Sequence, residues 1–258
     1  RTSHEISIGA GNEISTFYAS FGLSEQEGIV TSDISKFDKK SLRLNSTHKI
    51  SKYFTVGQTL GYAHKKEIGL GNTNSEYGGP LSSALNLDPI TKAVITDPVI
   101  ANSAPYSTNA VMRDANGNPY GISSIVGQEM TNPLAYTQTR LGNYGWSDDF
   151  VGNAFLEITP IEGLKFKSSL GAKLAYWGYE SFTPEFYLNA TNSTSQNNIS
   201  RGRNKGFGWN LENTVSYSKE LEKHNFTILL GQRVYIDNIT NGGGAVFYTH
   251  LTLPRNPS

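Results

Sequence analysis

The sequence predicts an all-β protein: an antiparallel sheet of about eight long strands, patterned as transmembrane β-barrel wall with long external loops. Three observations carry that prediction. Apolar and polar residues alternate with period two over stretches longer than ordinary globular strands. The joints between those stretches are either very short or very long. The chain is rich in Gly, Asn, Ser, Thr and Tyr, with 26 Gly and 14 Tyr against 2 Met among 258 residues, a composition for strands and turns rather than helices.

The elements follow in order. His4–Gly9 is a short opening strand. Ser15–Glu27 places Phe17, Ala19, Phe21 and Leu23 on one parity. Lys39–Lys49 is weaker, with Leu42 and Leu44 against Arg43 and Asn45. Phe54–His64 offers Phe54, Val56, Leu60 and Tyr62. Asp149–Thr159 sets Phe150, Ala154, Leu156 and Ile158 against Asn153 and Glu157. Phe207–Tyr217 and Phe226–Ile236 alternate in the same way.

Leu164–Tyr176 is the clearest strand. Leu164, Phe166, Leu170, Leu174 and Tyr176 share one parity, and Lys165, Lys167 and Lys173 the other. At ~3.3 Å per residue this segment is ~40 Å long, and tilted by ~40° it still stands ~30 Å tall, about a bilayer core. Its register follows from energy. With the Leu/Phe parity toward lipid no charge meets hydrocarbon. Slipped by one residue, three lysines would, at ~2–4 kcal/mol each near the midplane. In a barrel the lumen-facing set is therefore Lys165, Lys167, Lys173, Glu157, Glu212 and Arg233.

The short joints are Ala10–Ile14, Lys49–Tyr53, Pro160–Gly163 and Glu220–His224; the long ones are Gly28–Phe37, Ile68–Gly145 and Ser181–Lys205. Tight turns on one rim and large loops on the other are the habit of outer-membrane barrels. Outward aromatics gather at both strand ends. Phe54, Phe166, Tyr217 and Phe226 lie near the short turns, and Phe150, Tyr176, Phe207 and Trp209 lie toward the long loops, as two interfacial belts would. Within the longest loop, "GGPLSSALNLDP" predicts a short helix over Pro80–Leu87, opened by Pro80 and ended by Asp88-Pro89.

Several function classes are excluded. Lys+Arg and Asp+Glu number 22 each, so there is no basic footprint for nucleic acid. Without cysteine there is no disulfide framework, thiolate metal site or Cys nucleophile. His4, His48, His64, His224 and His250 are scattered without zinc spacing. Asp114, Asn116 and Asn118 imitate the start of a calcium loop, but Pro119 stands where its glycine belongs and Ile125 where its glutamate belongs. No nucleophile elbow or phosphate loop occurs. The chain reads as a non-enzyme with no cofactor and no metal. Sequons at Asn189, Asn192 and Asn198 fit the composition of an exposed loop.

Both termini are unusual. Arg1 falls inside a strand pattern without Met or signal segment, which reads as a fragment. Alternation stops near Asn238, and after Gly242–Gly244 the string "AVFYTHLTLPRNPS" matches nothing before it. Residues 241–258 read as a non-native or frame-shifted tail, or else as a loop and a strand start.

"STFYASFGLSEQEGIV" (Ser15–Val30), "LRLNSTHKISKYFTVGQTLGYAH" (Leu42–His64), "GGPLSSALNLDP", "RDANGNPYG" (Arg113–Gly121), "NPLAYTQTR" (Asn132–Arg140) and "FLEITPIEGLKFKSSLG" (Phe155–Gly171) together resemble the SusC/RagA family of TonB-dependent outer-membrane transporters of Bacteroidetes. The resemblance implies a barrel of about 22 strands with an N-terminal plug, and import of glycans or peptides. It also implies a SusD-like surface lipoprotein as partner, and energy from the TonB–ExbB–ExbD machine through the plug. Residues 1–240 would then be a stretch of barrel wall, an open arc of about eight of those strands, without the plug.

Candidate substrate contacts are aromatic and basic residues near the loops: Tyr120, Tyr136, Arg140, Tyr144 and Trp146, then Trp177, Tyr179 and Arg203 in the next long loop. Flat rings stack on sugars, and charges meet hydroxyls. Two other readings stay open on the residues alone. One is a passive channel, including a closed eight-stranded barrel. The other is a secreted β-rich adhesin or glycan-binding module whose apolar faces pack against a second sheet.

Overall fold

The computed structural model describes residues 1–31, 33–69, 79–127, 130–221 and 224–248. Eight long strands form one antiparallel sheet: β1 (Thr2–Gly11), β2 (Ser15–Glu27), β3 (Lys36–Lys49), β4 (Phe54–Ile68), β5 (Tyr144–Ile161), β6 (Leu164–Thr183), β9 (Asn197–Leu221) and β10 (His224–Tyr248). They lie in the order β1-β2-β3-β4-β5-β6-β9-β10. β7 (Phe186–Asn189) and β8 (Asn192–Thr194) make a small separate hairpin. Among the described residues β1 pairs only with β2 and β10 only with β9, so the sheet is an open arc, as expected.

The strands outrun the alternation that predicted them. β6 and β9 stay paired through Glu180↔Arg201 to Thr183↔Asn198, in a segment expected to be loop. β9 and β10 stay paired to Tyr248↔Asn197, past Asn238 where alternation ends. A hydrogen-bonded ladder needs only backbone, whereas the sequence signal needs one face apolar. Residues 249–258 lie outside the described residues, as do 222 and 223 in the last short joint.

The register gives the strands a common tilt. A row of Cα partners leaves β2 at its first residue, Ser15, and passes His48, Val56, Leu156, Ser168 and Asn213 before reaching β10 at Gln232. Gln232 is eight residues along from His224, where β10 begins. Eight residues of ~3.3 Å over six interstrand steps of ~4.8 Å put the line of turns at roughly 40° to the rows, the strand inclination of a barrel.

Three of the short turns are fixed by local chemistry. Asn12 Oδ1 accepts from the backbone N–H groups of Ile14 (2.9 Å) and Ser15 (2.7 Å), an Asx turn. Ser51 Oγ accepts from the Tyr53 N–H at 3.1 Å. Gly163 turns with φ +82°, and a Cβ there would sit 2.2 Å from the Ser218 carbonyl oxygen, so the position admits glycine alone.

The segment between β4 and β5 carries three short helices: α1 (Pro80–Asn86), α2 (Pro98–Ala101) and α3 (Pro133–Gln138). Each opens on a proline, whose missing N–H costs nothing in a first turn. α1 is the helix expected at Pro80–Leu87, and Leu87 caps it by donating its N–H to Ser83 O. Two small apolar clusters hold this loop unit and recruit the β7–β8 hairpin from the next loop. Ile95, Tyr106 and Val111 meet Tyr187, and Tyr120 and Ala135 meet Leu188. No helix among the described residues is long and apolar enough to cross a membrane.

Candidate functional site

Pairing places the apolar parities of all eight strands on one face. Ile8, Ala19, Leu44, Leu60, Gly152, Ala172, Trp209 and Ile236 form one continuous row. On the next row toward the long loops, Phe21, Leu42, Tyr62, Phe150, Leu174 and Phe207 stand together, with the Tyr62 and Phe150 rings 4.7 Å apart. Toward the short turns come Phe54, Ile158, Phe166 and Val215. Among the described residues no Lys, Arg, Asp or Glu interrupts this band. Nor does a second layer of the described residues cover it: Leu170 is 52 % exposed and Phe150 40 %. Soluble monomers rarely expose so large an apolar patch, which marks a surface for protein or membrane contact.

The opposite face is polar. Lys165, Lys167, Lys173, Glu157, Glu212 and Arg233 all stand on it, since Glu157 pairs with Lys167, Ser169 with Glu212, and Glu212 with Arg233. Lys165 Nζ lies 3.0 Å from Glu157 Oε1, and Lys167 Nζ lies 4.3 Å above the Phe155 ring. Asn153 and Ser169 exchange hydrogen bonds of 2.8 and 3.1 Å. Nearer the loops Lys65 Nζ meets Asp149 Oδ2 at 2.8 Å.

The eight candidate substrate contacts do not converge; they fall into three places. Tyr120 is buried in the loop unit with Ala135 and Leu188, and Tyr136 packs against the same cluster with the Arg140 guanidinium 5.2 Å from its ring. Burial first, then the nearby Asp114 carboxylate, holds the Tyr120 phenol above its usual range. Trp177, Tyr179 and Arg203, expected in a loop, stand on strands β6 and β9 because pairing extends that far. Arg203 lies on the same side as the apolar band, beyond its end, together with Tyr144 and Trp146 of β5.

Trp177 and Tyr179 make the third group. They continue the Lys165–Lys173 parity and so lie on the polar face, toward the loops. Their rings rest on glycines of β9: a Cβ on Gly206 would meet the Trp177 ring at 3.2 Å, and one on Gly202 the Tyr179 ring at 2.3 Å. Glycine leaves room for each ring to lie flat on the sheet. Tyr179 is 46 % exposed, and its hydroxyl is 3.3 Å from Ser200 Oγ. Ser147 and Asn204 flank Trp177 in its row. The result is an aromatic shelf edged by hydroxyls and amides. Its signal was in the sequence, since counting the alternation on from Tyr176 puts both rings on the lysine side.

The calcium-like segment is a turn. Asp114 Oδ1 accepts from the N–H groups of Asn116 (2.9 Å) and Asn118 (2.8 Å), so backbone takes up the carboxylate. Among the described residues no three His, Cys, Asp or Glu side chains gather as metal ligands.

Comparisons with known proteins agree with this architecture. No family model matches the chain. It is 24% identical over 229 residues to TonB-dependent receptor P26 of Formosa agariphila, covering 88% of this chain and 20% of that protein. It is 25% identical over 271 residues to TonB-dependent receptor SusC of Bacteroides thetaiotaomicron, covering 96% of this chain and 24% of that protein. In fold it matches the RagAB peptide transporter with a TM-score of 0.69 at 22% identity, over 99% of this chain and 27% of that one. The SusC/RagA resemblance read from the sequence is thus found again, and the chain spans a quarter or less of the curated relatives it matches.

Proposed function

From this likeness to TonB-dependent receptors we propose that the chain is barrel wall and external loops of an outer-membrane importer of oligosaccharides or peptides. The observation that carries the reading is the charge-free, largely apolar band across eight tilted strands, with the short turns at one end and the folded loop unit at the other. Such a band suits hydrocarbon, and the Lys/Glu/Asn face behind it suits a water-filled lumen. The edges of β1 and β10, unpaired among the described residues, weigh against a self-closed small channel. The bare band weighs against a soluble adhesin. The protein transports rather than catalyses.

The Trp177–Tyr179 shelf is the substrate contact this reading favours, its ring faces open to a sugar or to the side chains of a peptide. Tyr144, Trp146 and Arg203, on the lipid-side parity, then serve the membrane boundary, and Tyr120, Tyr136 and Arg140 serve loop packing. Leu85, Ile90, Val99 and Ile125 are exposed on the loop unit and suit contact with a SusD-like surface lipoprotein. Energy would come from TonB–ExbB–ExbD through a plug.

The test is uptake by the protein as its cell makes it. Trp177→Ala with Tyr179→Ala is expected to weaken oligosaccharide or peptide binding about tenfold or more, at ~0.5–1.5 kcal/mol per lost ring contact, with membrane insertion unchanged. Equal binding and uptake by the double variant would remove the shelf from the proposal. Failure of the wild type to enter lipid would remove the importer.

A further inference from the structure

On the band side of the sheet, just past the apolar rows toward the long loops, the surface turns basic. β9 carries Lys205, Arg203 and Arg201 at consecutive same-face positions directly after Phe207 and Trp209, ~13 Å of strand with three cations. Lys205 reaches over the Tyr176 ring at 5.8 Å, and Arg201 Nη2 lies 3.3 Å from Glu180 Oε2. Arg203 is exposed beside Gly178, against which the Trp146 ring leans: a Cβ on Gly178 would be 3.1 Å from it. Across Trp146 in the same row stands Lys66, its Nζ 4.5 Å above the Tyr144 ring.

Four cations thus frame a patch floored by glycine and walled by Trp and Tyr. Among the described residues the carboxylates of the patch lie at its edges: Glu180 beside Arg201, and Asp38, which pairs across from Lys66 and is 3.5 Å from Lys36 Nζ. Asp148 is taken up by the Tyr62 hydroxyl (2.7 Å) and His64 (2.8 Å). Arg203 and Lys205 are left as its unpaired centre. At the turn end of the same face, β9 has a lone counterpart, Lys219. Rings at the edge of an apolar band belong at headgroup depth, and arginines with open planes bind phosphate in forked pairs. We propose that this patch binds the phosphate of an anionic membrane lipid in the leaflet on the long-loop side. The proposal rests on the membrane reading above and adds a specific headgroup site to it.

The test uses the protein as its cell makes it, in detergent, with diphosphorylated lipid A as probe and binding read by native mass spectrometry. Arg203→Gln with Lys205→Gln is expected to weaken retention about tenfold or more, as loss of two surface cations should. Arg203→Lys with Lys205→Arg should keep it, and Lys39→Gln on the polar face should leave it unchanged. Lipid A stripped of its phosphates should bind as weakly to the wild type as intact lipid A does to the neutralised variant. Equal retention of both lipids, or no loss in that variant, overturns the site. Flotation with vesicles separates the two ideas: a protein that floats but ignores the phosphate sinks only the headgroup site, and one that does not float sinks the membrane reading as well.

Discussion

A lysine moved one residue along β6 should change cost by more than an order of magnitude in equilibrium constant. Leu170 is midway between Leu164 and Tyr176 on the apolar face, paired with Ala154 and Leu211 and 52 % exposed. Leu170→Lys would set an ammonium at the middle of the band, at ~2–4 kcal/mol, or roughly thirty- to several-hundred-fold in the folding equilibrium. Ser169, its neighbour, faces Asn153 and pairs with Glu212 on the polar side. Ser169→Lys gives up one hydrogen-bond exchange, ~0.5–1.5 kcal/mol, and gains a nearby carboxylate. Leu164→Lys, at the turn end, should cost ~0–1 kcal/mol because the side chain reaches the interface. The assay is urea titration of the protein as its cell makes it, folded into lipid vesicles and read by heat-modifiable gel migration. A cost that peaks at Leu170 and falls toward Leu164 is expected. Equal costs at 169 and 170, or a flat profile along the outward positions, would refute the assignment of faces.

Two further predictions concern the loop unit. Asn132 is buried; its Nδ2 donates to Ala93 O (2.8 Å) and Gly121 O (3.1 Å), and its Oδ1 caps α3 through Leu134 N at 3.0 Å. Asn132→Ala should loosen the unit by ~2–4 kcal/mol, a lost cap plus stranded carbonyls, seen as faster amide exchange over 93–136 with the sheet unchanged. For pH, the Asp88 carboxyl is held below its usual range by the Ser123 hydroxyl first and by Thr91 next. Its contribution is therefore complete above ~pH 3.9 and lost as pH falls through the lower folded value. Tyr120 runs the other way: its contribution holds below ~pH 10 and fades as pH rises through its raised folded value. Proteolysis of the loop at graded pH checks both signs, and Asp88→Asn and Tyr120→Phe should flatten the acid and alkaline limbs respectively.

Much of the wall was legible because a half-apolar strand writes its two faces into alternate letters. Leu164–Tyr176 showed its lysine side and its leucine side before any pairing was known, and α1 announced itself by Pro80 and Asp88-Pro89. The register was not legible, since the eight-residue offset between Ser15 and His224 depends on how successive turns step along their neighbours. The ends of β6 and β9 were obscured because the apolar side breaks off there: Glu180, Arg201, Arg203 and Lys205 follow on the leucine side while Trp177 and Tyr179 carry on the lysine side. That hid the placement of Trp177, Tyr179 and Arg203 on strands. The loop core escaped notice for another reason: Tyr120 and Leu188 come from different loops, and no local pattern links them.

That shared core bears on how the wall assembles. Most neighbours in the sheet follow one another closely in sequence and close cheaply, whereas β4 finds β5 only across residues 69–143. Bringing such distant ends together costs about 2–3 kcal/mol more than a four-residue turn if the intervening chain is slack. A prefolded knot of helices shortens the slack, so the external ornament acts as a splint for the zippering beneath it. Weakening that knot should delay the joining of the first four strands to the last four, even where the finished barrel is equally stable.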